Sequence, residues 1–278
     1  MRDLSRDTAL LSINTATVRQ QWPLDRAIDG IARAGIPALA PWRDQVAAIG
    51  LDRAARQIRD AGLQVSGLCR GGMFPAADAV GRQAAIDDNR RAVDEAAALG
   101  AACLVLVVGG LPPGSKDIAD ARDQVRDGVA ALLPYARAAM VPLAVEPLHP
   151  MYAADRACVN TLAQANDLCD ELGDGVGVAV DVYHLWWDPN LEREIRRAGR
   201  KRIHAFHVCD WLVPTTDLLL DRGMMGDGVI DIRRIRGWVE AAGYDGRCEV
   251  EIFSAANWWK RPPEEVLNVC MERHRTFV

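Results

Sequence analysis

The chain has 278 residues, half of them apolar and 26% charged, with a formal net charge of −5. That balance excludes a nucleic-acid surface built on phosphate contacts, which needs a basic face, and the lack of any apolar run of about 18 residues excludes a membrane-spanning helix. The seven cysteines form no C-x-x-C pair, and Cys103, Cys209 and Cys248 lie inside apolar strands, so they are expected to be reduced core residues of a cytoplasmic protein. The N-terminal Met1-Arg-Asp-Leu-Ser-Arg-Asp7 carries no apolar signal core.

In chain order, 8–13 is a first strand ending at Asn14. Leu24, Ile28 and Ile31 then share one face of a helix over 24–35, which Gly35 stops. Next come a short strand at 36–40, a helix over 51–61 stopped by Gly62, and a strand at 63–68 ending in Cys69-Arg70-Gly71-Gly72. An alanine-rich helix over 82–99 leads to 102–108, the most continuously apolar strand of all. The next helix is expected over 117–140, with a kink or break at Pro134. Strands at 142–146, 176–181, 202–208 and 247–252 alternate with helices over 160–172, 190–199, 232–242 and 263–275. A long connection, 210–230, comes after the seventh strand.

Eight strand–helix units with near-continuously apolar strands mark a parallel sheet buried on both faces. The composition does not shift along the chain, so residues 1–278 are expected to form one α/β domain, a (β/α)8 TIM barrel. No Gly-x-Gly-x-x-Gly comes after the first strand, which weakens a dinucleotide-binding alternative.

In such barrels the chemistry sits at the C-terminal strand ends. Four successive apolar strands finish in ionisable residues there: Glu146, Asp181, His207 and Glu251. A charged group ending a buried strand is costly unless paired or metal-bound, and three crowded carboxylates repel. One divalent cation resolves both problems. The mostly oxygen donor set suits Mn²⁺, Co²⁺ or Mg²⁺ and admits Zn²⁺. Taken singly, each carboxylate could instead pair with an arginine or cap a helix. Four such residues at the matching point of four adjacent strands favour the metal.

The segments Val145-Glu146-Pro147-Leu148-His149-Pro150, Asp181-Val-Tyr-His184, His207-Val-Cys-Asp210-Trp211, Gly226-Asp-Gly-Val-Ile-Asp231 and Val250-Glu251-Ile-Phe253, in this order, resemble the xylose-isomerase-like TIM-barrel superfamily. Within it they are most similar to the sugar phosphate isomerase/epimerase group, which includes ketose 3-epimerases and inosose isomerases. The resemblance covers nearly the whole chain. It implies one divalent metal on Glu146, Asp181, His207 and Glu251, with Glu146 and Glu251 also moving the proton. The implied reaction is isomerisation or epimerisation of a ketose, inosose or related keto-sugar through an enediolate that the cation stabilises. It further implies that His184 and a loop arginine, Arg222, bind substrate, and that the protein is a homo-oligomer, dimer or tetramer. Ketose 3-epimerases carry a further glutamate where this chain has Tyr152, which leaves the substrate open.

Further expected substrate contacts are His149, just after Glu146, Arg70, after the third strand, and Trp211, one of six tryptophans in loops after strands. His204, of opposite parity to His207, is read as structural, and His274, in the last helix, as a surface residue. A lyase or hydratase acting on a 3-keto sugar, keto-glycoside or keto-polyol would use the same residues and is the alternative reaction. Five histidines in all are too few for a multi-metal nuclease.

Overall fold

A computed structural model describes residues 2–278. The strands are β1 (Leu11–Asn14), β2 (Ala38–Ala40), β3 (Gln64–Val65), β4 (Leu68–Gly72), β5 (Leu104–Val107), β6 (Leu143–Val145), β7 (Val176–Asp181), β8 (Ile203–Val208), β9 (Asp210–Trp211), β10 (Arg222–Gly223) and β11 (Cys248–Val250). Nine of them form one sheet in the order β3-β2-β1-β11-β8-β7-β6-β5-β4, and every pairing in it is parallel. Its two end strands are consecutive segments of one third strand. The lower segment pairs with β2 and the upper with β5, and the single bridges Trp42↔Cys69 and Val65↔Ala101 cross the seam. The ring thus closes through the chain itself into the expected eight-stranded barrel.

The barrel wall sorts side chains by size. Val176, Val178 and Val180 of β7 pack outward into the main core, whereas Ala179 points inward to join Cys69, Cys103, Val105, Ala144 and Ala205. Small inward side chains leave room for polar groups on the axis, and Ser12, Ser66 and Glu249 are found there, linked by hydrogen bonds. All seven cysteines are buried and unpaired. No helix among the described residues is long and apolar enough to cross a membrane.

Three of the helices around the barrel start on side-chain caps that the sequence shows. Asp78 and Asp117 accept from the first-turn amides of Ala79–Leu99 and Ile118–Ala138, and Thr161 with Gln164 forms a capping box on Leu162–Leu172. The expected interruption at Pro134 does not occur as a break, since the helix Ile118–Ala138 runs through it. A break does occur at Gly199, whose φ of 58° and ψ of −176° divide the stretch Leu191–Arg202. Residues Arg43–Ile49 form a helix that sequence periodicity did not mark, because only Val46 of it is buried.

One correction concerns His274. It is fully buried rather than on the surface, and neither ring nitrogen has a hydrogen-bond partner among the described residues. Burial, with the nearby Arg236 charge adding, lowers its pKa to about 4, so it is neutral and acts as a core side chain.

The connection after β8 is organised by an antiparallel ribbon in which Arg222 pairs with Trp211 and Gly223 with Asp210. Asp210 fixes the loop on either side of this ribbon: its carboxylate accepts from the amides of Trp211, Gly226 and Ile230. Gly228 passes so close that a Cβ there would lie 2.2 Å from the Trp211 carbonyl oxygen and 2.6 Å from Asp210 Oδ1. Gly228→Ala is therefore expected to destabilise the protein by about 1–3 kcal/mol, the usual range for forced overpacking, as a fall in the urea midpoint. An unchanged midpoint would mean that the loop yields freely.

Candidate active site and metal centre

Strand register assembles the site. Asp181 ends β7, and its Cα partner on β8 is His207; on the other side of β8, His207 is partnered by Glu249 of β11. Glu146 and Glu251 each lie one residue beyond their strands, and their amides continue the ladders by donating to the Leu106 and Val208 carbonyls. Glu146, Asp181, His207 and Glu251 are all buried, and one donor atom from each lies within 4.8 Å of the others.

The charges are crowded. Burial pushes the Asp181 carboxyl up to about 6 and that of Glu251 to about 7. The Arg222 charge opposes both shifts and the Glu146 charge adds to both. Burial alone would lower the His207 pKa, but the carboxylates of Glu249 and Glu146 override it and hold His207 well above the ordinary imidazole range. Four buried carboxylates, counting Glu249, thus face one guanidinium and one imidazole. This donor set fits a divalent cation, which replaces shared protons as the compensating charge.

The surroundings also fit. His207 Nδ1 lies 2.8 Å from Glu146 Oε1, while Nε2 faces Glu249 Oε1 at 3.6 Å and has no hydrogen-bond partner among the described residues. A carboxylate behind the far nitrogen is the usual way a ligating imidazole is oriented. Asn14 ties the layers together. Its Nδ2 donates to Glu249 Oε1 at 2.8 Å and Glu251 Oε1 at 3.0 Å, and its Oδ1 accepts from Trp42 Nε1 at 2.7 Å. Arg222 Nη1 donates to Glu251 Oε2 at 2.9 Å and lies 3.5 Å from Asp181 Oδ2. Its guanidinium is held over the Tyr183 ring, 4.4 Å from the centroid, and against Phe253 at 5.1 Å.

His184 shows a donor conflict. Its Nδ1 accepts from the His149 backbone N–H at 3.1 Å, and burial together with the Arg222 charge keeps its pKa well below the ordinary range. The ring is neutral, so Nε2 carries the proton. Arg222 Nη2, also a donor, lies 3.2 Å from that nitrogen. The acceptor nearest His184 Nε2, Asp181 Oδ2, is 3.7 Å away, beyond hydrogen-bond reach, so the two donors meet in an arrangement that a substrate oxygen would satisfy.

A cavity of about 220 Å³ opens above the cluster, with Glu146, Glu251, His184, Arg222 and Arg70 in its wall. That is below the range of about 300–1,000 Å³ for pockets that take drug-sized ligands, so the cavity has room for a molecule of roughly monosaccharide size. Asp181 and His207 lie beneath. His149 and Trp211 are not in the wall. They stack on each other with centroids 4.9 Å apart, and Trp211 also packs on Tyr183 at 4.8 Å, behind His184.

Sequence reasoning missed four residues that the structure brings in. Glu249 shares parity with Glu251 on one strand, a period-2 signal that was available. Asn14 is a polar residue ending an apolar strand, the same pattern that singled out the four donors. Arg156 and Arg19, also in the cavity wall, come from loops and carried no periodic signal.

A family model described as xylose isomerase-like TIM barrel matches residues 28–270. The chain belongs to the xylose isomerase-like TIM-barrel family. It superposes with a TM-score of 0.96 on the crystal structure of protein SMc04130 from Sinorhizobium meliloti 1021, at 66% identity over 98% of this chain and 99% of that one. Two more distant barrels share the fold. The IOLI protein with a binding zinc atom superposes at a TM-score of 0.82 with 20% identity, over 95% of each chain. A D-psicose 3-epimerase in the presence of D-fructose gives 0.74 with 16% identity, also over 95% of each chain. Among the curated proteins nothing matches.

Proposed function

We propose that this xylose isomerase-like barrel is a divalent-metal-dependent isomerase or epimerase of a keto-sugar. The observation that carries this reading is the buried convergence of Glu146, Asp181, His207 and Glu251 under a monosaccharide-sized cavity. The zinc-bearing IOLI protein and the ketose epimerase, which share the fold, support it. Those four residues would hold the cation, which would polarise a carbonyl and its neighbouring hydroxyl and so make the α-proton acidic.

The chain's own groups supply the rest. Glu146 and Glu251 come from strands on opposite sides of β7 and β8 and both line the cavity, so they can attend different faces of a bound sugar. Glu251, ionised when it holds the cation, lines the cavity and can accept the α-proton there and return it. His184 Nε2–H and Arg222 Nη2–H offer hydrogen bonds to the oxygen between them. Two bases on two faces give epimerisation, and one base serving two carbons gives isomerisation. Elimination from the same intermediate remains the alternative, separated by whether the product keeps the substrate's mass.

The test is metal content of the purified protein together with deuterium uptake from D₂O by candidate keto-sugars. About one equivalent of a divalent ion and exchange of one α-proton are expected. No metal uptake after loading with Mn²⁺, Co²⁺, Mg²⁺ and Zn²⁺ in turn would sink the mechanism.

A further inference from the structure

The cavity wall carries four arginines, Arg19, Arg70, Arg156 and Arg222. Arg222 is bound to Glu251, and Arg19 pairs with Asp44. The side chains of Arg70 and Arg156 make no hydrogen bond or ion pair to any described residue. Arg156 rests instead on the face of Tyr152, 5.6 Å from the ring centroid. The Tyr152 hydroxyl is itself buried without a partner in the same wall. Arg70 is half-buried, and its pKa is lowered first by that burial and then by the nearness of Arg156.

Arg70 and Arg156 line one partly desolvated cavity, neither bonded to a carboxylate, and their charges repel, a cost that an anion bound at both would relieve. The nearby acids do not fill the role: Glu146, whose charge reaches Arg70, is held by His207. Asp44 is taken by Arg19, and Asp217 caps the amides of Leu219 and Leu220.

We propose that Arg70 and Arg156, with the Tyr152 hydroxyl, form a subsite for an anionic group, a carboxylate or a phosphate, at the end of the substrate remote from its carbonyl. The inference rests on the metal cluster being the reacting end of the cavity. The pocket is then polarised, acidic where the carbonyl binds and basic where the far end of the sugar lies. Planar guanidinium forks match both carboxylate and phosphate geometry.

Three ketoses that differ only at C6 test this: D-fructose, D-fructuronate and D-fructose 6-phosphate, titrated calorimetrically into the full chain at low salt, with and without Mn²⁺. One or both anionic sugars are expected to bind about tenfold or more tightly than fructose, the worth of one charge-assisted hydrogen bond. Whichever anion shows the larger margin identifies the group. The Arg70→Gln/Arg156→Gln double variant should lose the margin, Arg70→Lys/Arg156→Lys should keep most of it, and Arg56→Gln, at an exposed position outside the cavity, should leave it intact. Equal affinity for all three sugars, no binding of any, or a margin that survives in the double glutamine variant overturns the proposal. The isomerase reading fails separately. A persistent anion margin with no α-proton exchange from any sugar would sink the reaction and leave the subsite, and exchange without a margin would do the reverse.

Discussion

Glu251→Gln is expected to lower catalysed α-proton exchange by about 10³-fold, within the range seen when a positioned acid or base is removed, and to weaken metal retention at the same time. The side chain keeps its shape but loses its charge, and one end becomes a donor. Both carboxylate oxygens of Glu251 now accept, Oε1 from Asn14 Nδ2 and Oε2 from Arg222 Nη1. A glutamine can orient its oxygen toward only one of them, so the other contact becomes donor against donor. The variant should still fold, because Asp181 remains 3.5 Å from Arg222 and shares its charge. Glu249→Gln is the informative companion. Glu249 touches His207 and Asn14 but does not line the cavity, so its loss should act through ligand orientation, about 10–100-fold in metal affinity. Exchange read by NMR and metal read by mass spectrometry separate the two. Parent-like exchange in Glu251→Gln would remove it from the chemistry.

The contrast between these two glutamates shows how far the sequence could be read. The barrel was legible because eight apolar strand runs alternate with helices whose stops are glycines, and period alone carries that information. The four-residue cluster was legible because a parallel barrel places its strand ends in one ring, so Glu146, Asp181, His207 and Glu251 needed only to be located within their strands. Depth was harder to read. Glu249 lies one layer lower on the same face as Glu251, and although their shared parity puts both inside the barrel, parity alone does not tell a carboxylate that lines the cavity from one that sits behind His207. Arg222 was expected at the site by resemblance. What holds it there is the β9–β10 ribbon and the Asp210 hydrogen bonds, tertiary features of a 21-residue connection with little periodicity. The stacking of His149 on Trp211 behind His184, and the pairing of Arg70 with Arg156 over the cavity, join residues far apart in the chain and leave no local signature.

The same crowding that marks the site predicts a steep pH dependence. In the metal-free protein Asp181 titrates near 6, Glu251 near 7, and His207 above the ordinary imidazole range. Each must lose its proton to act as a ligand, so binding releases protons and affinity climbs with pH. Between about pH 5 and 8 the apparent affinity for Mn²⁺ or Zn²⁺ should rise by about tenfold or more per pH unit, one decade for each proton released. Stability of the metal-free protein moves the other way. Acids whose folded pKa is raised carry no penalty below their unfolded values, where both states are protonated. The penalty grows as pH rises toward 6 for Asp181 and 7 for Glu251, and is complete above that. His207, with a raised folded pKa, adds stability that is full below its unfolded value and is lost as pH rises through the folded one. All three groups therefore weaken the empty site as pH increases, while a bound cation compensates the charges that appear. The melting temperature of the metal-loaded protein minus that of the chelator-treated protein should widen steadily from pH 5 to 8, and calorimetry in buffers of different ionisation enthalpy should show net proton release that shrinks as pH rises. Taking the difference cancels the titration of every group outside the site, so a flat or narrowing difference would mean that these four side chains do not gather on a cation.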